Sequence, residues 1–280
     1  GKFGGEEMNY HSDLDIVFLY EAEGHTAHDA GRRGETTSNQ HFFSELGQRI
    51  IKTASRLSSH GRLYEVDARL RPTGKSGALA TSLAEFARYF GEGAGQLWER
   101  QALCKGRVVY GSPRAAGVAM HVVAKAAFVH AWEPAHADAI RQMRARLEET
   151  VSGGNLKRGS GGLVDVEFLV QMLQLKYGRT NPKLRTANTL AALSALYTAG
   201  HLSTEDFQTL DRGYRFLRMI EGRLRLMNST ARDNLPADAT ELAKLAHLTR
   251  YERPELLLEE YSSSIARVRQ CFDRVFEQER

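Results

Sequence analysis

Two short stretches combine residue types and spacings that suit phosphate chemistry. Gly4-Gly5 is followed seven residues later by Ser12-Asp13-Leu14-Asp15, within an extended run of β-branched and aromatic residues. Positions i and i+2 of a strand share a face, so Asp13 and Asp15 stand side by side. Carboxylates that close repel each other and raise one another's pKa unless something compensates. A hard divalent cation such as Mg²⁺, which prefers oxygen ligands, is the usual compensation. A second stretch, Leu63-Tyr-Glu65-Val-Asp67-Ala-Arg69-Leu70, alternates in the same way. Glu65, Asp67 and Arg69 share its polar face, while Tyr64, Val66, Ala68 and Leu70 form the apolar one. If the two strands are neighbours, Asp67 becomes a third carboxylate beside Asp13 and Asp15. Arg71 and Lys75 follow in a flexible basic turn, Arg71-Pro-Thr-Gly-Lys75-Ser-Gly77. Carboxylates for a metal, glycine backbone and cations for phosphates together describe a phosphoryl or nucleotidyl transfer site. The bland alternative places Asp13 and Asp15 at a wet strand edge and makes Asp67–Arg69 a surface pair. Gly-Gly by itself would decide nothing; the convergence of the motifs favours the site.

The elements that must position these residues fall into two halves. Residues 13–20 read as a strand, 21–39 as a polar glycine-rich loop, and Phe42, Phe43, Leu46, Ile50 and Leu57 as one face of a helix. Arg62–Leu70 alternates as a strand, and Ser82-Leu-Ala-Glu85 is a capping box that opens the helix carrying Phe86 and Phe90. After Pro113 helical periods take over, predicting helices near 114–131, 136–152, 163–177, 187–199, 204–228, 237–248 and 255–278. The expected fold class is α+β, with a mixed-sheet catalytic domain over 1–112 and an all-helical bundle over 113–280. Gly1 already belongs to the glycine motif, so the first domain reads as truncated at its N-terminus, a piece of a longer chain. On a wheel of 204–228, Phe216, Leu217, Ile220, Leu224 and Met227 face one way. Arg212, Arg215, Arg218, Arg223 and Arg225 face the other, an arc expected to be solvated.

Composition excludes several classes. Of 280 residues, 42% are hydrophobic and 26% charged, an ordinary globular balance. Residues 1–112 carry 14 basic and 14 acidic side chains, and the rest 24 against 20, for a net charge of +4. Neither half is basic enough to coat a nucleic acid. No apolar run approaches the ~20 residues of a membrane span. Two cysteines, Cys104 and Cys271, offer no disulfide framework or metal spacing, which points to a reduced, cytoplasmic setting. Three features invite misreading. His25, His28 and Asp29 hold a His-Asp pair, but in a loop that nothing fixes. Asp165 falls inside an apolar helical arc and needs a partner: either the helix N-terminus with Arg158, or a ligand in a cleft between the domains. Glu167 is expected at the surface and Trp98 in core or interface packing.

The motifs resemble one family. Gly1-Lys-Phe-Gly-Gly-Glu-Glu-Met-Asn-Tyr-His-Ser-Asp-Leu-Asp-Ile-Val-Phe-Leu-Tyr20 is similar to the nucleotidyltransferase motif of the glutamate-ammonia-ligase adenylyltransferases. Tyr64-Glu-Val-Asp-Ala-Arg-Leu-Arg-Pro72, Trp98-Glu-Arg-Gln-Ala-Leu-Cys-Lys-Gly-Arg107 and Gly161-Gly-Leu-Val-Asp-Val-Glu-Phe168 match in order and spacing. Phe3 and Met8 stand where leucines are expected, and the similarity covers nearly the whole chain. The resemblance implies a polymerase-beta-like nucleotidyltransferase domain followed by a helical bundle. It implies that Asp13, Asp15 and Asp67 hold Mg²⁺ or Mn²⁺ and that Gly4, Gly5 and Ser12 line the triphosphate of ATP; on physical grounds Lys105, Arg69 and Arg71 are the candidates to neutralise charge as pyrophosphate leaves. Lys105 is the first choice among those cations; Glu65 and Asp165 would support the site. Glutamine synthetase and the PII signalling protein are the implied partners. Family members carry two such units in one chain: an N-terminal one that removes AMP from a glutamine synthetase tyrosine by phosphorolysis, giving ADP, and a C-terminal one that adds AMP from ATP. Leu63–Pro72 and Arg107-Val-Val-Tyr-Gly-Ser-Pro113 resemble the adenylylating unit more closely. A catalytically silent docking module for glutamine synthetase or PII should lack a carboxylate, and all three are present.

Overall fold

The computed structural model describes residues 1–27, 36–59, 61–62, 64–228 and 230–279. His28, Asp29 and residues 30–35 of the polar loop lie outside the described residues, as does Leu63. By their contacts the described residues form two compact units, Gly1–Met8 with Ser12–Val129, and Asn9–His11 with His130–Arg280. The boundary set at 112/113 from sequence falls at the start of a helix that packs with the first unit.

In the first unit, β1 (Leu14–Asp15) pairs in parallel with β5 (Val66–Asp67), and β2 (Phe18–Tyr20) in parallel with β6 (Ala80–Ser82). The predicted strand 13–20 therefore changes partner partway along its length. The predicted strand 62–70 keeps only its central two residues in that ladder. Its start belongs to an antiparallel hairpin of β3 (Leu57–Ser58) and β4 (Gly61–Arg62). Among the described residues the expected mixed sheet is thus three separate two-stranded pairs. α1 (Asn39–Ala54) starts where the Ser38 side chain accepts from the His41 N–H. Its apolar stripe is left half-open: Phe42, Leu46 and Ile50 stay exposed, and Leu57 lies beyond it in β3. Of the predicted capping box, the Ser82 half is present. Ser82 accepts from the Glu85 N–H at 3.2 Å and opens α2 (Leu83–Gly91).

α2 and α3 (Leu97–Leu103) both pack on α4 (Pro113–Phe128). Phe86, Phe90 and Ala126 are buried there, flanked by Val17, Leu19 and Val123. Each phenylalanine contributes about 1.5–3 kcal/mol by burial, enough to hold α4 to the first unit. Trp98 does not join this core. It is 40% exposed, with its indole N–H donated to Gln96, while its neighbour Glu99 is buried and accepts from Tyr89.

The second unit contains six helices among its described residues: α5 (Pro134–Glu149), α6 (Leu163–Tyr177), α7 (Thr189–Thr198), α8 (Thr204–Asn228), α9 (Ala239–Leu248) and α10 (Pro254–Gln278). These match the periodic segments closely, and proline or side-chain caps set the starts of α5, α7, α9 and α10. Pro134 and Pro254 sit in the first turns of α5 and α10, and Asn188 and Asp238 accept N–H groups at α7 and α9. α6 is wrapped by its neighbours, with Leu169, Met172 and Leu173 fully buried. It enters this core through Gly161, whose φ is +69° and whose added Cβ would fall 1.9 Å from the Ile265 carbonyl oxygen of α10. No helix among the described residues is long and apolar enough to cross a membrane.

The arginine arc of α8 is only partly solvated. Arg212, Arg215 and Arg223 are exposed, whereas Arg225 and most of Arg218 turn inward to the fully buried Glu221. A buried carboxylate needs such partners, and the wheel could not show it.

Candidate active site

The ladder between β1 and β5 sets the site. Its register places Asp15 opposite Asp67, held by the Leu14 N–H to Glu65 O and the Ile16 N–H to Asp67 O, both at 2.8 Å. Paired strands lie about 4.8 Å apart, and residues opposite each other in a parallel ladder share a face. Asp13 precedes Asp15 by two residues and is exposed; Asp15 is half-buried. The neighbouring strands postulated from alternation are therefore present, with three aspartates on adjoining backbone positions.

Their side chains are not yet a cluster. Among the described residues no three carboxylate, imidazole or thiol groups are gathered as metal ligands. Arg69 instead holds Asp67. Its Nε donates to both Asp67 carboxylate oxygens at 2.8 and 2.7 Å, its Nη2 adds a short contact, and its backbone N–H donates to Oδ1 at 2.9 Å. The guanidinium holds the Asp67 carboxyl below the ordinary carboxylate range, and Asp67 first, then Asp15 and Asp13, keep Arg69 charged. An all-carboxylate donor set in this register fits a hard divalent cation in type and backbone placement, with Asp67 engaged elsewhere.

The remaining predicted residues divide. Glu65 is exposed and pairs with Arg62 at 3.3 Å rather than facing the aspartates. Tyr64, expected on the apolar face, is also exposed. Arg71 is spent on its own turn, donating to the carbonyls of Ala68 (2.6 Å), Gly77 (3.3 Å) and Lys75 (3.4 Å). Lys105, the first choice for a phosphate cation, is 6% exposed and donates to Glu7 at 2.7 Å. Its charge is thus met by a buried carboxylate 98 positions away, a pairing no local pattern reveals. Ser12 and Gly5 are buried as well, and the Gly5 N–H donates to the Gly1 carbonyl at 3.2 Å.

Gly4 has a structural reason that sequence reading did not supply. A Cβ at Gly4 would lie 1.9 Å from the Lys105 carbonyl oxygen, so the loop can approach residues 105–107 only without a side chain. Arg107 fastens this contact, donating to Gly4 O at 3.0 Å and Phe3 O at 2.9 Å. Gly1, Gly4, Asp15, Lys105 and Arg107 open onto one cavity of about 710 Å³, whose other walls include Val17, Leu19, Phe43, Leu46, Met120 and Val123. That volume lies in the range of small-molecule sites, with apolar walls and a few polar groups at one side.

Asp165 lies wholly in the second unit. It is fully buried, binds Arg144 closely, lies 3.5 Å from Arg269, and accepts the Gly161 N–H at 2.7 Å. Burial pushes its carboxyl up against the pull of both guanidiniums. Its partners tie α6 to α5 and α10; Arg158 instead reaches Thr150 at 3.4 Å. Glu167 is half-buried and accepts from Tyr214, rather than standing free at the surface.

Comparison with known proteins separates the same two parts. Residues 1–121 match the family model described as glutamate-ammonia ligase adenylyltransferase, and residues 135–276 match that of GlnD PII-uridylyltransferase. The second match was not foreseen from the helical periods. Both descriptions name enzymes that transfer a nucleotidyl group. Curated relatives make the class specific. The protein of Stenotrophomonas maltophilia is 35% identical over 250 residues, 88% of this chain and 26% of the relative. Those of Xanthomonas oryzae (34% identical, 96% of this chain and 28% of the relative) and Vibrio parahaemolyticus (33%, 98% and 29%) agree. All three are named bifunctional glutamine synthetase adenylyltransferase/adenylyl-removing enzyme. The chain belongs to the family of these enzymes. It spans about a quarter of the length of the curated relatives it matches.

Proposed function

We propose that this chain carries a metal-dependent nucleotidyltransfer site that moves AMP from ATP to a tyrosine of glutamine synthetase. The observation that carries the reading is the Asp15–Asp67 register with Asp13 two residues away, in a chain whose relatives bear an adenylyltransferase name. Asp13, Asp15 and Asp67 are the residues that would hold Mg²⁺ or Mn²⁺. A cation bound there would neutralise phosphate charge and acidify an incoming hydroxyl.

The tyrosine oxygen forms a bond to the α-phosphorus, the bond from that phosphorus to the bridging oxygen breaks, and pyrophosphate leaves. Asp67 is the acceptor that the strand register offers for the phenol proton. From there the proton passes on to water. Arg69, 65% exposed and next to the aspartates, is the cation this reading gives to the phosphates once it leaves Asp67; Lys105 is held in the core by Glu7 and Arg71 by carbonyls. Arg107 and Gly4 keep the glycine loop beside residues 105–107, on the wall of the cavity that Asp15 also lines. The apolar cavity next to Asp15 suits the purine. PII would act on the full-length enzyme, a reading supported by the match of the helical residues to a PII-uridylyltransferase.

The test is incubation of the chain with Mg²⁺, glutamine synthetase and α-labelled ATP. Label on the synthetase that disappears with Asp13→Asn supports adenylylation. The relatives' name also contains an adenylyl-removing activity, which gives a second reading. No label, with ADP released from pre-adenylylated synthetase on adding phosphate, would assign this chain the reverse task.

A further inference from the structure

The aspartates are aligned by their backbones, yet one of them is closed off by a guanidinium from its own strand. Arg69 covers both oxygens of Asp67 through two nitrogens, and its backbone N–H fixes the same carboxylate from below. The Asp67 side chain is 21% exposed, whereas that of Arg69 is 65% exposed, so the guanidinium can leave into solvent without unpacking anything. Three carboxylates on neighbouring backbone positions repel unless a positive charge is present. In this structure that charge is supplied by the protein.

Resting on the metal-site reading above, we infer that Arg69 is a resident counter-cation that competes with the divalent metal for Asp67. Metal binding exchanges one partner of Asp67 for another. The released guanidinium, still tethered two residues away, is then available to the anionic oxygens of the nucleotide. Arg69 is on this account a positioning residue that offsets the repulsion among the aspartates and couples metal entry to nucleotide binding. An exposed pair of this kind is worth at most ~1 kcal/mol, so it delays the metal without excluding it.

The experiment is Mn²⁺ titration of the whole chain, followed by the loss of the free-ion electron paramagnetic resonance signal, with thermal melts to confirm folding. The variants are Arg69→Gln, Asp67→Asn, their combination, and Asp13→Asn. Arg69→Gln should tighten Mn²⁺ by about fivefold, the exposed-pair energy converted to an equilibrium constant, when Asp67 is present. It should change nothing in the Asp67→Asn background. An equal tightening in both backgrounds would mean a general field effect on Asp13 and Asp15, and overturns the competition; so does no tightening at all. Mn²⁺ binding that Asp13→Asn leaves unaltered, or no binding by any variant, refutes the metal site itself and the inference with it.

Discussion

Substituting Gly4 by alanine tests whether the glycine loop is set by close approach to residues 105–107. The added methyl carbon would lie 1.9 Å from the Lys105 carbonyl oxygen, 3.1 Å from its carbon and 3.6 Å from the Arg107 nitrogen. A tolerable carbon–oxygen contact is about 3.3 Å, so the loop has to retreat by roughly 1.4 Å. The obstacle is backbone, and no side-chain rotation relieves it. Retreat stretches the Arg107 bonds to Gly4 and Phe3 and strains the Glu7 N–H bond to the Lys2 carbonyl at 2.8 Å. Overpacking of this size costs about 1–3 kcal/mol. For a protein of this length that is a fall in Tm of roughly 2–12 °C by scanning calorimetry. Because Gly4 is on the wall of the cavity that Asp15 also lines, AMP transfer should fall on the order of a hundredfold, as for other displacements of about 1 Å. Gly117→Ala in α4 is the control, since its Cβ meets nothing within 4 Å. It should be neutral or stabilising by about 0.5–1 kcal/mol. A Gly4→Ala protein with unaltered Tm and transfer rate would refute the close-approach argument.

Three further outcomes follow from the described contacts. Asp165→Ala leaves the Arg144 guanidinium buried without its main counter-charge and should cost about 3–5 kcal/mol in urea unfolding, whereas loss of activity in a protein of full stability would return Asp165 to the site. Arg69 lowers the Asp67 carboxyl, so the folded state favours its ionised form; the stability this gives is present above the ordinary carboxylate pKa and is lost as pH falls through the lowered one. Carbon-detected NMR titration should show the Asp67 midpoint moving up in Arg69→Gln, and an unmoved midpoint would dismiss the guanidinium as its cause. Burial pushes the Cys104 thiol up to about 12 and raises Cys271 as well, so a disulfide reagent at pH 8 should label neither cysteine in the native protein and both in denaturant.

Much of this molecule is written locally. Helices such as α6 and α8 were legible to the residue, because helical spacing acts over four positions or fewer. The alternation at Asp13-Leu-Asp15 and Glu65-Val-Asp67 placed carboxylates on shared faces for the same reason, and the motif order pointed to the family. What the strands paired with, and where each charge ended, depended on residues far apart. Lys105 looked like a phosphate cation until Glu7 met it in the core; Arg225 looked solvated until Glu221 drew it in. Trp98 and the Phe42–Ile50 stripe have the composition of core yet stay exposed, since nothing in the first unit's described residues covers them. α4 begins after the change to helical periods but packs with α2 and α3. Periodicity and capping are properties of neighbouring residues, so the sequence by itself determined the elements and the carboxylates they carry. Desolvation and charge pairing act between residues brought together only by folding, so the tertiary structure alone decided which cations were already taken.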